Sequence, residues 1–180
     1  MKLLKGCLLS LIIFILLCLT GVYFLRNNII NKLESQKIDV NQKWNNYVSI
    51  LNERNSILFK QNSNNDSLKY YLEKSKSISS KENSKEFEYN EYKINKFIVP
   101  NSLISDLNNS LNSTLKAYNE AARSYNFYKI KFPIFLIVRK IKFSKNFKYF
   151  EIQYGIDNEE TMNKKKKIEN WIKNGGDYPY

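Results

Sequence analysis

The chain contains no histidine. This absence removes Ser–His and Cys–His nucleophile pairs, histidine-ligated zinc, and the side chain best suited to proton transfer near neutral pH. The sequence also has no glycine-rich phosphate loop and no closely spaced acids of the kind that bind calcium or a di-iron centre. The acids that we considered, Asp106, Asp157, Glu159 and Glu160, show no spacing that distinguishes them from solvated surface groups. We therefore expect a protein that is not an enzyme, with no catalytic residue, no metal or cofactor site and no small-molecule substrate.

Glycine and proline are scarce, at five and three residues. Such a chain has few of the residues that form the tight turns of β-rich folds, so the composition favours helices. Cysteine occurs only as Cys7 and Cys18, and both lie within an apolar run near the amino terminus. They therefore cannot form a disulfide or a metal site in the rest of the chain.

That apolar run extends from Gly6 to Leu25 without a charge. As a helix, about twenty residues span roughly 30 Å, the thickness of the hydrocarbon core of a bilayer. After a short basic amino terminus, residues 1–5, we interpret residues 6–25 as an uncleaved transmembrane anchor. The run is long for a signal peptide, and no small-x-small cleavage site follows it. A cleaved signal peptide and a buried helix of a soluble protein are the alternatives.

Basic residues beside the anchor bear on its orientation. Lys2 and Lys5 lie on one side, and Arg26, Lys32 and Lys37 lie on the other, so the two sides are nearly balanced. A very short basic amino terminus is usual for a signal anchor, which favours a soluble part outside the cytoplasm. We therefore predict a single-pass membrane protein that contacts the lipid bilayer through its N-terminal helix.

The residues after the anchor suffice for one domain. Residues 26–38 contain several asparagines and are expected to form a linker. A helix is predicted from Asp39 to Lys60 because apolar residues recur there every three or four positions. These residues are Val40, Trp44, Tyr47, Val48, Leu51 and Leu58. Arg54 lies beside this stripe.

Polar segments divide the middle of the chain. Asn62 to Asp66 are residues that compete with helical hydrogen bonding, so we expect a break there. A weaker helix is predicted over Ser67–Ser77, followed by a loop over Ser79–Lys85. A further helix is predicted over Phe87–Val99, before Pro100.

The clearest helix begins near Asn101 or Ser102 and ends before Pro133, because the residue that precedes a proline is disfavoured in helical geometry. Its apolar residues alternate steps of three and four: Ile104, Leu107, Leu111, Leu115, Tyr118, Ala122 and Tyr125. This repeat is typical of helices that pack at a shallow angle. The sequence predicts an all-α fold, with an N-terminal transmembrane helix followed by an antiparallel bundle of long helices. The expected core contains Trp44, Leu51, Leu107, Leu111, Tyr118 and Tyr125.

Two Tyr-Asn doublets lie seven residues apart on this helix, Tyr118-Asn119 and Tyr125-Asn126. The chain continues with Phe132-Pro133, then Phe143 and Tyr149-Phe150-Glu151. This order and spacing resemble the carboxy-terminal signature of the LemA family. In the amino-terminal half, Val40, Trp44 and Arg54 match that family's V-x3-W-x9-R spacing. The resemblance covers roughly residues 39–151.

The resemblance implies an all-helical antiparallel bundle beside the membrane, single-pass and without known enzymatic chemistry. Its signature residues, which we expect to be structural, are Trp44, Arg54, Tyr118, Asn119, Tyr125, Asn126, Phe132, Pro133 and Phe150. The chain departs from the family after the arginine, where it reads Ser56-Ile57-Leu58-Phe59-Lys60 in place of an acid-aliphatic-aliphatic-Pro-Asn run. The acid-and-arginine pattern upstream of the first doublet is also missing.

The two asparagines of the doublets follow tyrosines that share one helix face. Each asparagine is rotated from its tyrosine by about 100°, which places it at the edge of the helix seam. We expect Asn119 and Asn126 to fix the register between helices, as buried polar residues do in coiled coils. Solvated side chains and a ligand contact are the alternatives.

The net charge is +12, and about +10 remains after the two lysines of residues 1–5 are set aside. Basic residues cluster at Lys164–Lys167 and, with aromatic residues between them, from Arg139 to Tyr149. Coding bias with a solvated face and attraction to anionic headgroups are alternative explanations of this charge, while nucleic-acid binding lacks a recognised motif. Residues 152–180 extend beyond the resemblance, and Glu159–Lys173 are expected to form a short helix.

Two functional hypotheses follow. The first is a non-enzymatic interaction or scaffold protein at the cell envelope, whose bundle binds another envelope protein. The second is a module that binds an anionic membrane surface or an anionic polymer through its basic segments. Binding through a protein interface should survive moderate salt, whereas electrostatic binding should weaken steeply as salt rises.

Overall fold

A computed structural model describes residues 2–61, 64–78, 84–98, 101–141 and 146–175, with side chains from residue 10. Within these ranges all regular secondary structure is helical, which confirms the predicted all-α class. The six helices are α1 (Lys2–Gln61), α2 (Asp66–Ser77), α3 (Ser84–Phe97), α4 (Ser102–Ile130), α5 (Ile134–Ile141) and α6 (Glu159–Asn174).

Helix α1 is continuous over 60 residues, so the predicted linker at 26–38 is absent and those residues are helical. The asparagines do lower helix propensity, but Ile29 and Leu33 lie there and are buried in the bundle core. Packing of an apolar face commonly outweighs local propensity. The helix predicted over Asp39–Lys60 is therefore the second half of a much longer one.

The first half of α1 is exposed. From Ser10 to Arg26 every side chain is exposed, and Phe14 and Leu17 are each 65% exposed. Within the described residues this helix alone is long and apolar enough to cross a membrane. Its length and composition agree with the predicted anchor.

The second half of α1 packs against α4, and the two helices run antiparallel. Gln61 at the end of α1 accepts a hydrogen bond from Asn101 at the start of α4, while Lys32 contacts Tyr128 near its end. Buried positions on α4 alternate steps of four and three: Ile104, Asn108, Leu111, Leu115, Tyr118, Ala122, Tyr125 and Lys129. The helix begins at the Asn101 cap, whose Oδ1 accepts from the Ile104 N–H, and it ends three residues before Pro133.

Two clusters form the interior. Of the predicted core, Trp44, Leu51, Leu111, Tyr118 and Tyr125 lie in the larger cluster. Leu107 does not, because it is only partly buried and packs on a second cluster at the far end, formed by Leu58, Leu68, Leu72, Ile94 and Ile104.

The smaller helices complete the bundle. Helices α2 and α3 pack on each other, and α6 packs on the outer side of α3. The predicted short helix beyond residue 158 is thus docked on the bundle, where Lys85 pairs with Glu169 and Lys96 with Glu159. Helix α3 agrees with the helix predicted there, and Ser84 and Lys85 belong to it. Of the predicted loop, residues 79–83 lie outside the described residues.

Candidate functional site: a groove that holds an extended segment

Residues 146–154 have no regular secondary structure and lie along α4, where three asparagines bind their backbone. Each asparagine donates through Nδ2 to the carbonyl oxygen of one residue and accepts at Oδ1 from the N–H of that same residue. The pairs are Asn126 with Phe147 (2.7 and 2.9 Å), Asn119 with Phe150 (2.8 and 3.1 Å), and Asn112 with Tyr154 (3.0 and 2.8 Å). We call these three residues the asparagine ladder.

The spacing of the ladder follows from chain geometry. Seven residues of α-helix rise about 10.5 Å, and three residues of extended chain span about 10 Å. Asparagines 126 and 119 can therefore pair with Phe147 and Phe150 without distorting either partner. The segment runs antiparallel to α4, away from the end at which α1 is exposed.

Helix α3 lies on the other side of the segment, which therefore occupies a groove between α3 and α4. Side chains of α3 bind the peptide groups between the ladder contacts. The Glu151 N–H donates to Glu88 Oε1 at 2.7 Å, and the Tyr92 hydroxyl donates to the Glu151 carbonyl at 2.8 Å. Asn95 Nδ2 donates to the Gln153 carbonyl at 3.3 Å. Successive peptide groups of an extended chain point to opposite sides, so two helices satisfy this segment as neighbouring strands would.

Side chains of the segment fill the space between α1, α3 and α4. Phe150 is 3% exposed, and its ring lies 5.3 Å from Trp44, 5.9 Å from Tyr118 and 5.5 Å from Phe87. Aromatic pairs at these separations add to the energy of apolar burial. The Tyr118 hydroxyl donates to the Lys148 carbonyl at 2.9 Å, and burial raises the pKa of Tyr118 to about 12.

A buried ion pair lies beneath the end of the segment. Arg54 Nη2 lies 2.6 Å from Glu91 Oε2, and both side chains are fully buried. Ser75 donates to the other carboxylate oxygen at 3.2 Å. The Arg54 guanidinium lies over the Tyr154 ring, 4.6 Å from its centroid, and the Tyr154 hydroxyl is hydrogen-bonded to that of Tyr47. Burial raises the pKa of Tyr154, so this hydroxyl keeps its proton.

The segment leaves the groove at a turn after Tyr154. Gly155 has φ +87°, a conformation that favours glycine. Beyond the turn the groove opens into a cavity of about 330 Å³, lined by Asn95, Ile98, Ser105, Asn108, Asn109, Asn112, Gln153, Tyr154, Gly155 and Ile156. No lining side chain is charged.

Asn108 is the notable polar residue of this cavity. It lies one helical turn beyond Asn112 on the same side of α4. The residue is only 6% exposed, yet nothing in the described part of the chain donates a hydrogen bond to its Oδ1. A buried acceptor without a donor is costly, so this position favours a ligand that supplies an N–H or O–H.

Most of the expected signature residues meet in the groove. Asn119 and Asn126 were predicted to fix the register between helices. Instead they bind the backbone of the extended segment. The rings of Trp44, Tyr118 and Phe150 pack together, Arg54 lies below, and the Tyr125 ring is 5.0 Å from Phe147. Phe132 and Pro133 lie elsewhere, in the turn between α4 and α5, where Phe132 is 79% exposed.

Sequence reasoning missed several residues of the site, among them Glu88, Tyr92 and Asn95 on α3. Asn112 could have been found, because it precedes Asn119 by the same seven residues that separate Asn119 from Asn126. Glu91 carried a weaker indication, as an acid four residues from Phe87 on a helix face. Asn108 carried none. Among the residues that the structure describes, no three His, Cys, Asp or Glu side chains come close enough to hold a metal ion.

Comparison of the chain with protein-family models, curated proteins and solved structures gave no match. The resemblance to the LemA family therefore stays a prediction from the sequence.

Proposed function

We propose that this protein is a membrane-anchored, non-enzymatic interaction protein of the cell envelope, related to the LemA family, with its bundle outside the cytoplasm. The exposed apolar half of α1 supports the anchor, because from Ser10 to Leu25 none of its side chains is buried within the protein. In water such a surface is unfavourable, whereas in lipid it is solvated.

Membrane fractionation with intact-mass measurement tests the anchor. We expect the full-length mass in the membrane fraction after a high-salt wash. A soluble species that lacks the first ~20 residues would indicate a cleaved signal peptide and would reject this part of the proposal.

The polar open end of the groove is the observation that supports a role in binding another protein. Along its occupied length, the groove binds main-chain amides through side-chain amides. At its open end, the cavity beside Asn108 offers the same chemistry without a charge. Its best partner is therefore an uncharged extended segment of another envelope protein, bound mainly through backbone hydrogen bonds.

A photo-crosslinking amino acid tests this surface in intact membranes. We would place it at Asn109, which is exposed and lines the cavity, and at Asn52, which is exposed on α1, as the matched control. We expect a protein adduct of discrete mass from position 109 only. The Asn108→Leu change should abolish it while leaving the fold intact, because a buried oxygen without a donor adds little stability.

Salt separates this proposal from the electrostatic alternative. At about 1 M salt the Debye length falls to about 3 Å, so the adduct should persist if hydrogen bonds and shape hold the partner. Equal adducts at positions 109 and 52, or loss of the adduct in salt, would contradict a specific groove contact.

Binding of an anionic surface is the second candidate. The lysine run on α6 supports it weakly, because Lys165 pairs with Glu88 at 2.8 Å and Glu151 at 3.2 Å, and Lys166 lies over Tyr89. Part of this charge is thus engaged within the bundle.

A further inference from the structure

The turn between α4 and α5 lies close to the end of the exposed apolar half of α1. Lys32 Nζ is 4.9 Å from the ring centroid of Tyr128, so the end of α4 is level with residue 32 of α1. Leu25, the last residue of the apolar run, precedes Lys32 by a rise of roughly 10 Å. Because α4 is antiparallel to α1, Ile130 and the turn lie nearer still to the level of Leu25.

This turn and α5 expose an unusual concentration of apolar side chains. Their exposed fractions are Phe132 79%, Ile130 65%, Leu136 47% and Phe135 41%. The opposite side of α5 is anchored, since Ile134 is buried in the larger core cluster and Ile137 and Val138 pack against it. Other exposed apolar residues of the bundle, such as Ile38, Tyr70, Leu103 and Ile172, are far apart in the sequence. A contiguous exposed apolar patch usually marks a binding surface.

The charge around the patch identifies what it contacts. Lys131, Arg139 and Lys140 are exposed beside it, and the sequence has no acidic residue between Glu120 and Glu151. Apolar side chains flanked by basic ones are typical of segments that lie in the interface of an anionic bilayer. The patch also lies at the level where α1 would leave the hydrocarbon core. The surface of that bilayer is therefore the nearest partner that could cover it.

We propose that the α4–α5 turn and α5 form a second contact with the bilayer that α1 crosses. Phe132, Phe135 and Leu136 insert among the headgroups, and Lys131, Arg139 and Lys140 contact anionic ones. This contact rests on the proposed function, because it requires α1 to span the membrane. It gives the bundle a second point of attachment beside α1 and so limits the tilt of α1 relative to the membrane surface.

Three single-cysteine forms of the full chain test this contact in anionic vesicles. The first keeps Cys18 in a C7A background and reports the anchor. The others carry F135C or L103C in a C7A/C18A background, and Leu103 lies at the far end of the bundle, two residues from Asn101, which donates a hydrogen bond to Gln61. Each is labelled with an environment-sensitive fluorophore, and acyl-chain spin-labelled lipid serves as the quencher.

We expect strong quenching and a blue-shifted emission at Cys18 and in F135C, and neither in L103C. Charge reversal by Lys131→Glu, Arg139→Glu and Lys140→Glu should abolish most of the quenching in F135C and leave that at Cys18 unchanged. Quenching at Cys18 with none in F135C would overturn the second contact while the anchor stands. No quenching at Cys18 would reject the anchor, and with it this inference.

Discussion

Removal of one rung of the asparagine ladder should destabilise the whole bundle. The Asn119→Ala change removes two hydrogen bonds, at 2.8 and 3.1 Å, and leaves the N–H and C=O of Phe150 without their partners. Phe150 is 3% exposed, so water reaches these groups poorly. Each unsatisfied buried group costs about 1–3 kcal/mol, and the greater helix propensity of alanine returns at most about 0.7 kcal/mol. The two groups together cost about 2–6 kcal/mol, so we expect a net loss of about 1–5 kcal/mol.

A thermal melt of the full chain in detergent micelles measures this loss. For a protein of this size about 1 kcal/mol shifts the melting temperature by about 2–4 °C, so Asn119→Ala should lower it by about 2–20 °C. Trp44 fluorescence is a suitable probe because its ring stacks on Phe150, and Trp171→Phe removes the other tryptophan. The matched control is Asn109→Ala on the same helix, at an exposed position, which should leave the melt unchanged or raise it slightly. If Asn119→Ala melted at or above the wild-type temperature, the ladder would not hold the segment.

Three further predictions follow from buried groups. Arg54→Met should destabilise the fold by about 3–5 kcal/mol in a denaturant titration, because it leaves the Glu91 carboxylate buried and unpaired; adding Glu91→Leu should restore much of the loss. Leu111→Ala should cost about 2–5 kcal/mol in the same assay, whereas Leu103→Ala, at an exposed position, should cost far less. The raised pKa of Tyr118 favours its neutral form in the folded state, so its contribution is present below about pH 10 and lost as the pH rises towards 12. Unfolding free energies across that range should therefore fall less steeply in Tyr118→Phe than in the wild type.

The helices could be predicted from the sequence because their apolar periodicity records a buried face. The repeat from Ile104 to Tyr125 predicted α4, and its start was predicted near Asn101 or Ser102, where Asn101 is the cap. The continuity of α1 could not be predicted in the same way. The local propensity of Asn27, Asn28 and Asn31 argues for a break, and only contacts with residues about a hundred positions away reverse that preference.

The role of Asn119 and Asn126 could not be predicted from the sequence for a related reason. A seam asparagine and an asparagine that binds an extended segment have the same spacing on the helix. Their partners, Phe147 and Phe150, lie about twenty to thirty residues away in a stretch without helical or strand periodicity. Position on the helix face was therefore predictable, but the identity of the bound group was not.

Because α1 is continuous, its apolar half and its bundle half move as one rigid rod. From Leu25 to Gln61 the helix spans roughly 54 Å without a hinge, so its far end moves with the apolar half that we propose spans the membrane. Transmembrane helices adjust their tilt to the local bilayer thickness, and a change of about 20° would displace the end of this arm by roughly 18 Å. Such a displacement is mainly parallel to the membrane surface, so a change of tilt would move the cavity beside Asn108 sideways above the lipid, and the contact proposed for α5 would oppose this movement.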